Sequence, residues 1–233
     1  LKKLLAIHGV EIGVRPVWSY HDHSGAGARR RVAEAVTSGR SVAYAAEAGT
    51  PMVADPGFRL AAEVRAAGGS VTAAPGASAA IAALTLAGLP TDRFLFLGFL
   101  PPKPGPRRRA LAAIGQVAAT LVAYEAPSRV HGLLVDMGQA LGEMREAVMC
   151  REVTKRFEEV QRGTLAELAA AFADDAPRGE CVVLVAPPAA PEAASDAALQ
   201  AALSAQAHLS LKDAAAEVAA RHGVPRKRVY DLG

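Results

Sequence analysis

Two short stretches hold the residue types that let a backbone wrap closely around a small ligand. Glu47-Ala48-Gly49-Thr50-Pro51 runs on to Ala54-Asp55-Pro56-Gly57, and Ala74-Pro75-Gly76-Ala77-Ser78-Ala79-Ala80 repeats the arrangement at the next strand-to-helix junction. Glycine admits close approach, proline fixes the loop, and small side chains leave backbone N–H groups uncovered. Taken alone, the first loop is a tight turn in which Asp55 caps the helix that begins near Gly57. Two such loops at consecutive junctions border one crevice, and open α/β sheets bind ligands at the carboxyl ends of their strands. Neither loop matches the G-x-G-x-x-G fingerprint or a P-loop, which counts against NAD and ATP.

Further polar groups fall at strand ends: Glu125, the run Arg151-Glu152-Val153-Thr154-Lys155, and Arg178-Gly179-Glu180. Glu125, Asp55 and Glu152 are the carboxylates placed to take a proton, although Glu152 and Lys155, three apart, equally suit a surface ion pair. His21 and His23 would share one face of a strand, but no third ligand accompanies them and no metal site is read. There is no Gly-x-Ser-x-Gly elbow to support acyl transfer. Cys150 and Cys181 lie in separate apolar segments without CxxC spacing, which fits a reducing cytoplasm and not a disulfide framework.

The formal charge of +3 is small, yet the cations cluster as Arg29-Arg30-Arg31, Arg107-Arg108-Arg109 and Arg226-Lys227-Arg228. Clustered cations are what phosphate backbones attract, although any one triplet also suits the solvated end of a helix.

The elements that must position these groups follow from hydrophobic rhythm. In 233 residues, 51% of them hydrophobic, there is room for one large domain or two small ones. Val17 to Tyr20, Val42 to Ala46 and Val71 to Ala74 alternate with helical runs, predicting βαβαβα around a parallel sheet over 1–91. A second α/β domain is expected over 92–188: strands near Phe94–Phe99, Leu121–Tyr124, Ala147–Glu152, Glu158–Arg162 and Cys181–Val185, with helices between. After a Pro/Ala linker, 189–233 reads as a helical tail whose Leu211–Arg221, Gly223 and Arg226–Tyr230 suggest a helix-turn-helix. The longest apolar run, 77–87, falls short of the roughly 20 residues that span a bilayer, so no membrane segment is expected.

The order of these loops resembles the tetrapyrrole methylase superfamily, and within it the branch that 2′-O-methylates cytidine in small-subunit ribosomal RNA. The resemblance rests on Ser19-Tyr20-His21-Asp22-His23, the two Gly/Pro loops, Ala87-Gly88-Leu89-Pro90-Thr91-Asp92-Arg93-Phe94, Gly98-Phe99-Leu100-Pro101, Tyr124-Glu125, Arg151 to Lys155 and Gly179-Glu180. It implies a two-domain α/β tetrapyrrole-methylase-like fold with a small helical tail. S-adenosylmethionine would be held by Ala48, Gly49, Thr50, Pro51, Pro75, Gly76, Ser78, Ala79, Ala80, Tyr124 and Glu180. It also implies a homodimer whose partner is the small ribosomal subunit or its rRNA, with Arg107, Arg108, Arg109, Lys155, Arg226, Lys227 and Arg228 toward phosphate. The family's usual Ser-Asp is Ala46-Glu47 here, its usual Ser or Thr after Glu125 is Ala126, and its opening strand and Glu-Asp-Thr-Arg motif would lie upstream of Leu1. Two other readings are a same-fold enzyme methylating a small tetrapyrrole-like molecule, which the basic triplets disfavour, and a non-enzymatic nucleic-acid-binding regulator, which would need no crevice.

Overall fold

The computed structural model describes residues 2–21, 23–46, 48–189 and 194–233, so Asp22 and Glu47 of the motifs above, and Ala190 and Pro191 of the Pro/Ala linker, lie outside the described residues. Backbone contacts divide the chain into two units, Leu1–Pro187 and Pro188–Gly233.

The larger unit is organised by one five-stranded sheet, with β1 (Phe94–Phe99), β2 (Thr120–Glu125), β3 (Glu146–Arg151), β4 (Glu159–Thr164) and β5 (Cys181–Val185) in the order β1-β2-β5-β3-β4. Only β1 and β2 run parallel; β5 inserts between β2 and β3, antiparallel to both, and β4 returns antiparallel to β3. The sheet is therefore mixed and not parallel throughout. The connection 152–158 between β3 and β4 is too short for the crossover of about a dozen residues that parallel pairing needs.

Alternation along the strands sends Leu121, Ala123, Met149, Val183 and Val185 to one face, where α5 (Pro104–Ile114), α6 (Val130–Leu141) and α7 (Leu165–Ala171) cover them. Val122, Val148, Val182 and Leu184 face the other way, under α4 (Ala79–Ala87). The small residues Ala80, Ala83 and Ala87 let α4 lie close to the sheet, and Gly88, left-handed at φ 73°, ends it. Strands β2 and β5 are buried almost throughout, whereas the edge strand β4 carries Glu159, Gln161 and Arg162.

α5 is locked to α6 through charge. Arg107 is only 4% exposed, and its guanidinium donates to Asp136 at 2.7 Å and to the Gly132 carbonyl at 3.0 Å.

Upstream of the sheet, α2 (Ala26–Thr37) and α3 (Phe58–Ala66) bury Ala33, Leu60 and Val64 against Tyr20 and Tyr44, and Arg29 bridges to Glu63 at 2.7 Å. α1 (Lys2–Ile7) precedes them and buries no residue. The strands expected at Val17–Tyr20, Val42–Ala46 and Val71–Ala74 do not form. A strand exists only by pairing, and these runs find no ladder partner among the described residues, leaving Val17, Val42 and Val71 exposed.

The smaller unit consists of α8 (Asp196–Ser204), α9 (Leu211–His222) and α10 (Arg226–Tyr230), around Leu199, Leu203, Ala215, Val218 and Val229. Ser195 and Ser210 cap α8 and α9, and Gly223 at φ 64° makes the expected turn between α9 and α10. Among the described residues no helix is long and apolar enough to cross a membrane.

The Arg107–Asp136 pair gives the first prediction. Arg107→Leu alone leaves the buried Asp136 carboxylate with only Arg108 at 3.6 Å and should cost about 3–5 kcal/mol, while Arg107→Leu with Asp136→Leu should recover most of that loss. Urea denaturation of both variants checks the difference.

Candidate functional site

The segment 49–57 is strained. Gly49, Met52, Ala54 and Gly57 all have positive φ (67°, 71°, 55° and 134°), and two of them carry side chains. Such residues cost of order 1–3 kcal/mol each and persist where their surroundings fix them, most often at ligand sites. Here the Tyr44 hydroxyl donates to the Pro56 carbonyl at 2.5 Å. Gly57 is required twice over, because a Cβ there would also lie 2.9 Å from both Met52 Cγ and Tyr44 Cε1. A hollow of about 200 Å³ beside this turn is lined by Tyr20, His23, Gly57, Phe58 and Arg59, bringing Tyr20 and His23 next to the loop.

Two hydrogen bonds then tie the two Gly/Pro loops to the sheet. Thr50 Oγ1 donates to the Ala77 carbonyl at 2.9 Å, placing the first loop against the second. Ala80 N–H, in the first turn of α4, donates to Tyr124 Oη at 3.0 Å, fixing the second loop to the carboxyl end of β2. Tyr124 is itself held edge-on by Phe96 and Phe99, at centroid separations of 5.0 and 5.7 Å. Its hydroxyl accepts from the helix and keeps its own proton for a further acceptor. The backbone around Gly76 stands open, since a Cβ there would meet nothing within 4 Å.

A second set of groups lines the same end of the sheet. Strand register sets Glu125 opposite Cys181, Cys181 opposite Arg151, and Arg151 opposite Glu159. Glu125 points to the face opposite Tyr124, as neighbours on a strand must. It is 2% exposed, accepts from Ala126 N–H at 2.8 Å and pairs with Arg129, while its Oε2 has no partner among the described residues.

Glu152 is differently used. Its Oε1 accepts from Glu180 N–H and from Lys155 Nζ, both at 2.9 Å, and Lys155 also reaches Glu180 Oε2 at 2.8 Å. The Glu180 amide, and then Lys155, hold the Glu152 carboxyl below its ordinary range, while the two carboxylates push Lys155 upward. Burial pushes both Cys150 and Cys181 to about 11, so neither is a nucleophile at neutral pH.

Several expected roles change with these positions. Asp55 is exposed and does not cap α3, whose N-cap, Gly57, has no side-chain hydrogen bond. Arg107 is spent on Asp136 inside the fold and is closed to phosphate, and Arg108 shares Asp136 at 3.6 Å and Gln139 at 3.0 Å, leaving Arg109 exposed. Lys155 is bound between two carboxylates. In the smaller unit Arg228 donates to Asp196 and to the Ala194 carbonyl, and Arg226 to the Lys212 carbonyl, so these two hold helices together while Lys227 stays exposed. That unit's segment, 188–233, has five acidic and five basic residues, so it has no net charge with which to attract phosphate.

Tyr44, Phe96 and Arg129 are site residues that sequence reasoning passed over, and Phe99 and Gly179 stood in quoted motifs without a role of their own. Arg129 had a signal, standing four residues after Glu125. Gly179 had one too: a Cβ there would collide with the Glu152 carboxylate, so the Gly-Glu dipeptide is what lets the network close.

Residues 15–169 match the family of tetrapyrrole (corrin/porphyrin) methylases, and residues 189–233 match the RsmI C-terminal HTH domain. The chain is 42% identical over 217 residues to a ribosomal RNA small subunit methyltransferase I of Mesorhizobium japonicum, covering 93% of this chain and 74% of that protein. It is also 42% identical to the protein of that name from Xylella fastidiosa, over 98% of this chain and 84% of the relative. A crystal structure of diphthine synthase superposes with a TM-score of 0.56 at 18% identity, covering 79% of this chain and 73% of the other, a likeness of fold. The chain belongs to the tetrapyrrole methylase family, and within it to the ribosomal RNA small subunit methyltransferase I proteins.

Proposed function

We propose that this chain transfers a methyl group from S-adenosylmethionine to the 2′-hydroxyl of a cytidine in small-subunit ribosomal RNA, acting in the cytoplasm as a homodimer on the subunit or its rRNA. The observation that carries the reading is the junction of Thr50, Ala77, Ala80 and Tyr124, which fixes two glycine-bearing loops at the carboxyl end of one strand. Names of relatives at about 40% identity over most of the chain supply the substrate class.

The residues present fit the donor. Gly76 leaves open space along the loop, and Gly49 adopts a φ that few other residues take. Backbone groups of Ala48, Gly49, Thr50, Pro51, Pro75 and Gly76 would hold its adenosine and methionine portions. The start of α4 offers the amides of Ser78 and Ala79 and the positive end of a helix dipole to a carboxylate, while Ala80, its amide spent on Tyr124, adds a small side chain that leaves room. Tyr124 keeps a hydroxyl proton free toward the same space, and Glu180 stands at the neighbouring strand end. Bound there, S-adenosylmethionine supplies an electrophilic methyl carbon.

The protein's work is then alignment and the handling of one proton. Loops pinned at Thr50 and Tyr124 lose little freedom on binding, which favours an in-line approach of the hydroxyl. Of the three candidate carboxylates, Asp55 is solvated, and Glu152 is occupied by the Glu180 amide and Lys155. Glu125 Oε2 is unshared but buried on the face of the sheet opposite Tyr124, away from the donor loops, so Asp55, exposed on the loop that carries Gly49, is assigned the proton from the ribose hydroxyl. Phosphate contacts fall to Arg109, Lys227 and the exposed part of Arg108.

Two outcomes test this. Gly76→Val places its side chain in open space, so the melting temperature should hold while calorimetric binding of S-adenosylhomocysteine is lost; unchanged affinity removes the loop from the site. Gly49→Val is the poorer probe, because its φ of 67° strains any side chain. Asp55→Asn should lower methyl transfer to purified small subunits by about 10²- to 10⁴-fold with S-adenosylhomocysteine affinity kept, the range typical of a lost general base. A variant that transfers methyl at the parental rate makes Asp55 only a solvated residue of the loop.

A further inference from the structure

The connection between β3 and β4, residues 152–158, is more constrained than a surface turn requires. Glu152 and Thr154 both take positive φ, 50° and 67°, and neither is a glycine. The strain is held in place by a closed set of bonds: Glu152 Oε1 to Glu180 N–H, Lys155 Nζ to Glu152 and Glu180, and Glu158 Oε2 accepting from Thr154 N–H at 2.6 Å. Val153 is buried beneath the turn, 9% exposed.

This scaffold presents two side chains that it does not itself use. Phe157 is 62% exposed, with the Arg156 guanidinium carbon 5.4 Å from its ring centroid. The charged groups around them are otherwise engaged in hydrogen bonds. Arg151 is bound to Glu159 at 2.6 Å, Lys155 to Glu152 and Glu180, and Glu158 to the Thr154 amide. Arg156 alone among the loop's cations has no carboxylate partner among the described residues. A rigid loop that satisfies every acid and leaves one cation beside one bare aromatic ring offers a flat apolar face together with an unspent positive charge.

Strand register puts this loop at the working end of the sheet. It leaves β3 after Arg151, two strands from Glu125 through Cys181, a separation of about 10 Å at the usual strand spacing.

We propose that Arg156 and Phe157 form a platform on which an unpaired RNA base next to the modified nucleotide stacks, with the Arg156 charge available to the adjoining phosphate. A stacked neighbour orders single-stranded RNA beside a ribose hydroxyl, and aromatic and guanidinium planes are the surfaces on which unpaired bases stack. This inference rests on the reading of the chain as an RNA methyltransferase and adds residues that perform the recognition.

The probe is a fluorescein-labelled oligocytidylate of eight nucleotides, titrated into the full chain by anisotropy. Phe157→Ala should weaken binding about tenfold, within the roughly 5- to 150-fold expected for one stacked base. Phe157→Trp should restore it, and Arg156→Gln should weaken binding and reduce its salt dependence. S-adenosylhomocysteine affinity and melting temperature should stay at the parental values in all three. Equal affinity of Phe157→Ala and the parent, or failure of Phe157→Trp to restore it, overturns the platform. A parent chain that does not bind the oligonucleotide overturns it as well. If that chain still methylates small subunits, only the platform falls; if it does not, the RNA reading falls with it.

Discussion

The carboxyl end of β2 is the constraint on which the rest of the site depends. Two consecutive residues there point to opposite faces and serve different layers. Tyr124 reaches up to the first turn of α4 and fixes it through the Ala80 amide. Glu125 reaches down, where Ala126 and Arg129 hold it at the start of the next helix. Because β2 is buried between β1 and β5 along its length, neither side chain can shift without moving the sheet. The Gly/Pro loops need no stiffness of their own; they take it from the strand through Thr50, Ala77 and Ala80.

That arrangement explains why charges that look alike in the sequence do different work. Arg107 is consumed at Asp136 to clamp α5 onto α6, and Arg29 at Glu63 to clamp α2 onto α3. Arg228 fastens the helical unit through Asp196. Each basic triplet thus gives at least one member to the fold, and in the third both Arg226 and Arg228 are bonded within the helical unit. Glu152 and Lys155 similarly hold a turn in shape, through the Glu180 amide and carboxylate.

Much of this was legible in the sequence. The strand Phe94–Phe99 and the helices from Ala79 to Tyr230 follow their hydrophobic periods closely, because each packs one face on a core that exists. The Gly/Pro loops could be singled out because their residue types have few uses other than sharp turns and close approach. The mixed direction of the sheet was hidden, since alternation specifies a strand and says nothing about which neighbour it joins. Val17–Tyr20, Val42–Ala46 and Val71–Ala74 carry strand-like residues, but pairing decides whether such runs become strands. The burial of Arg107 was equally hidden: its partner Asp136 lies 29 residues away, with no local pattern to announce it.

The central claim is that the loops at Gly49 and Gly76 and the end of β2 act as one binding surface. Amide hydrogen exchange of the full chain, measured with and without saturating S-adenosylhomocysteine, tests it most directly. Exchange is expected to slow together at 48–57, at 76–81 and around Tyr124. Protection confined to one of these segments, or absent from all three while S-adenosylhomocysteine is bound, would contradict it.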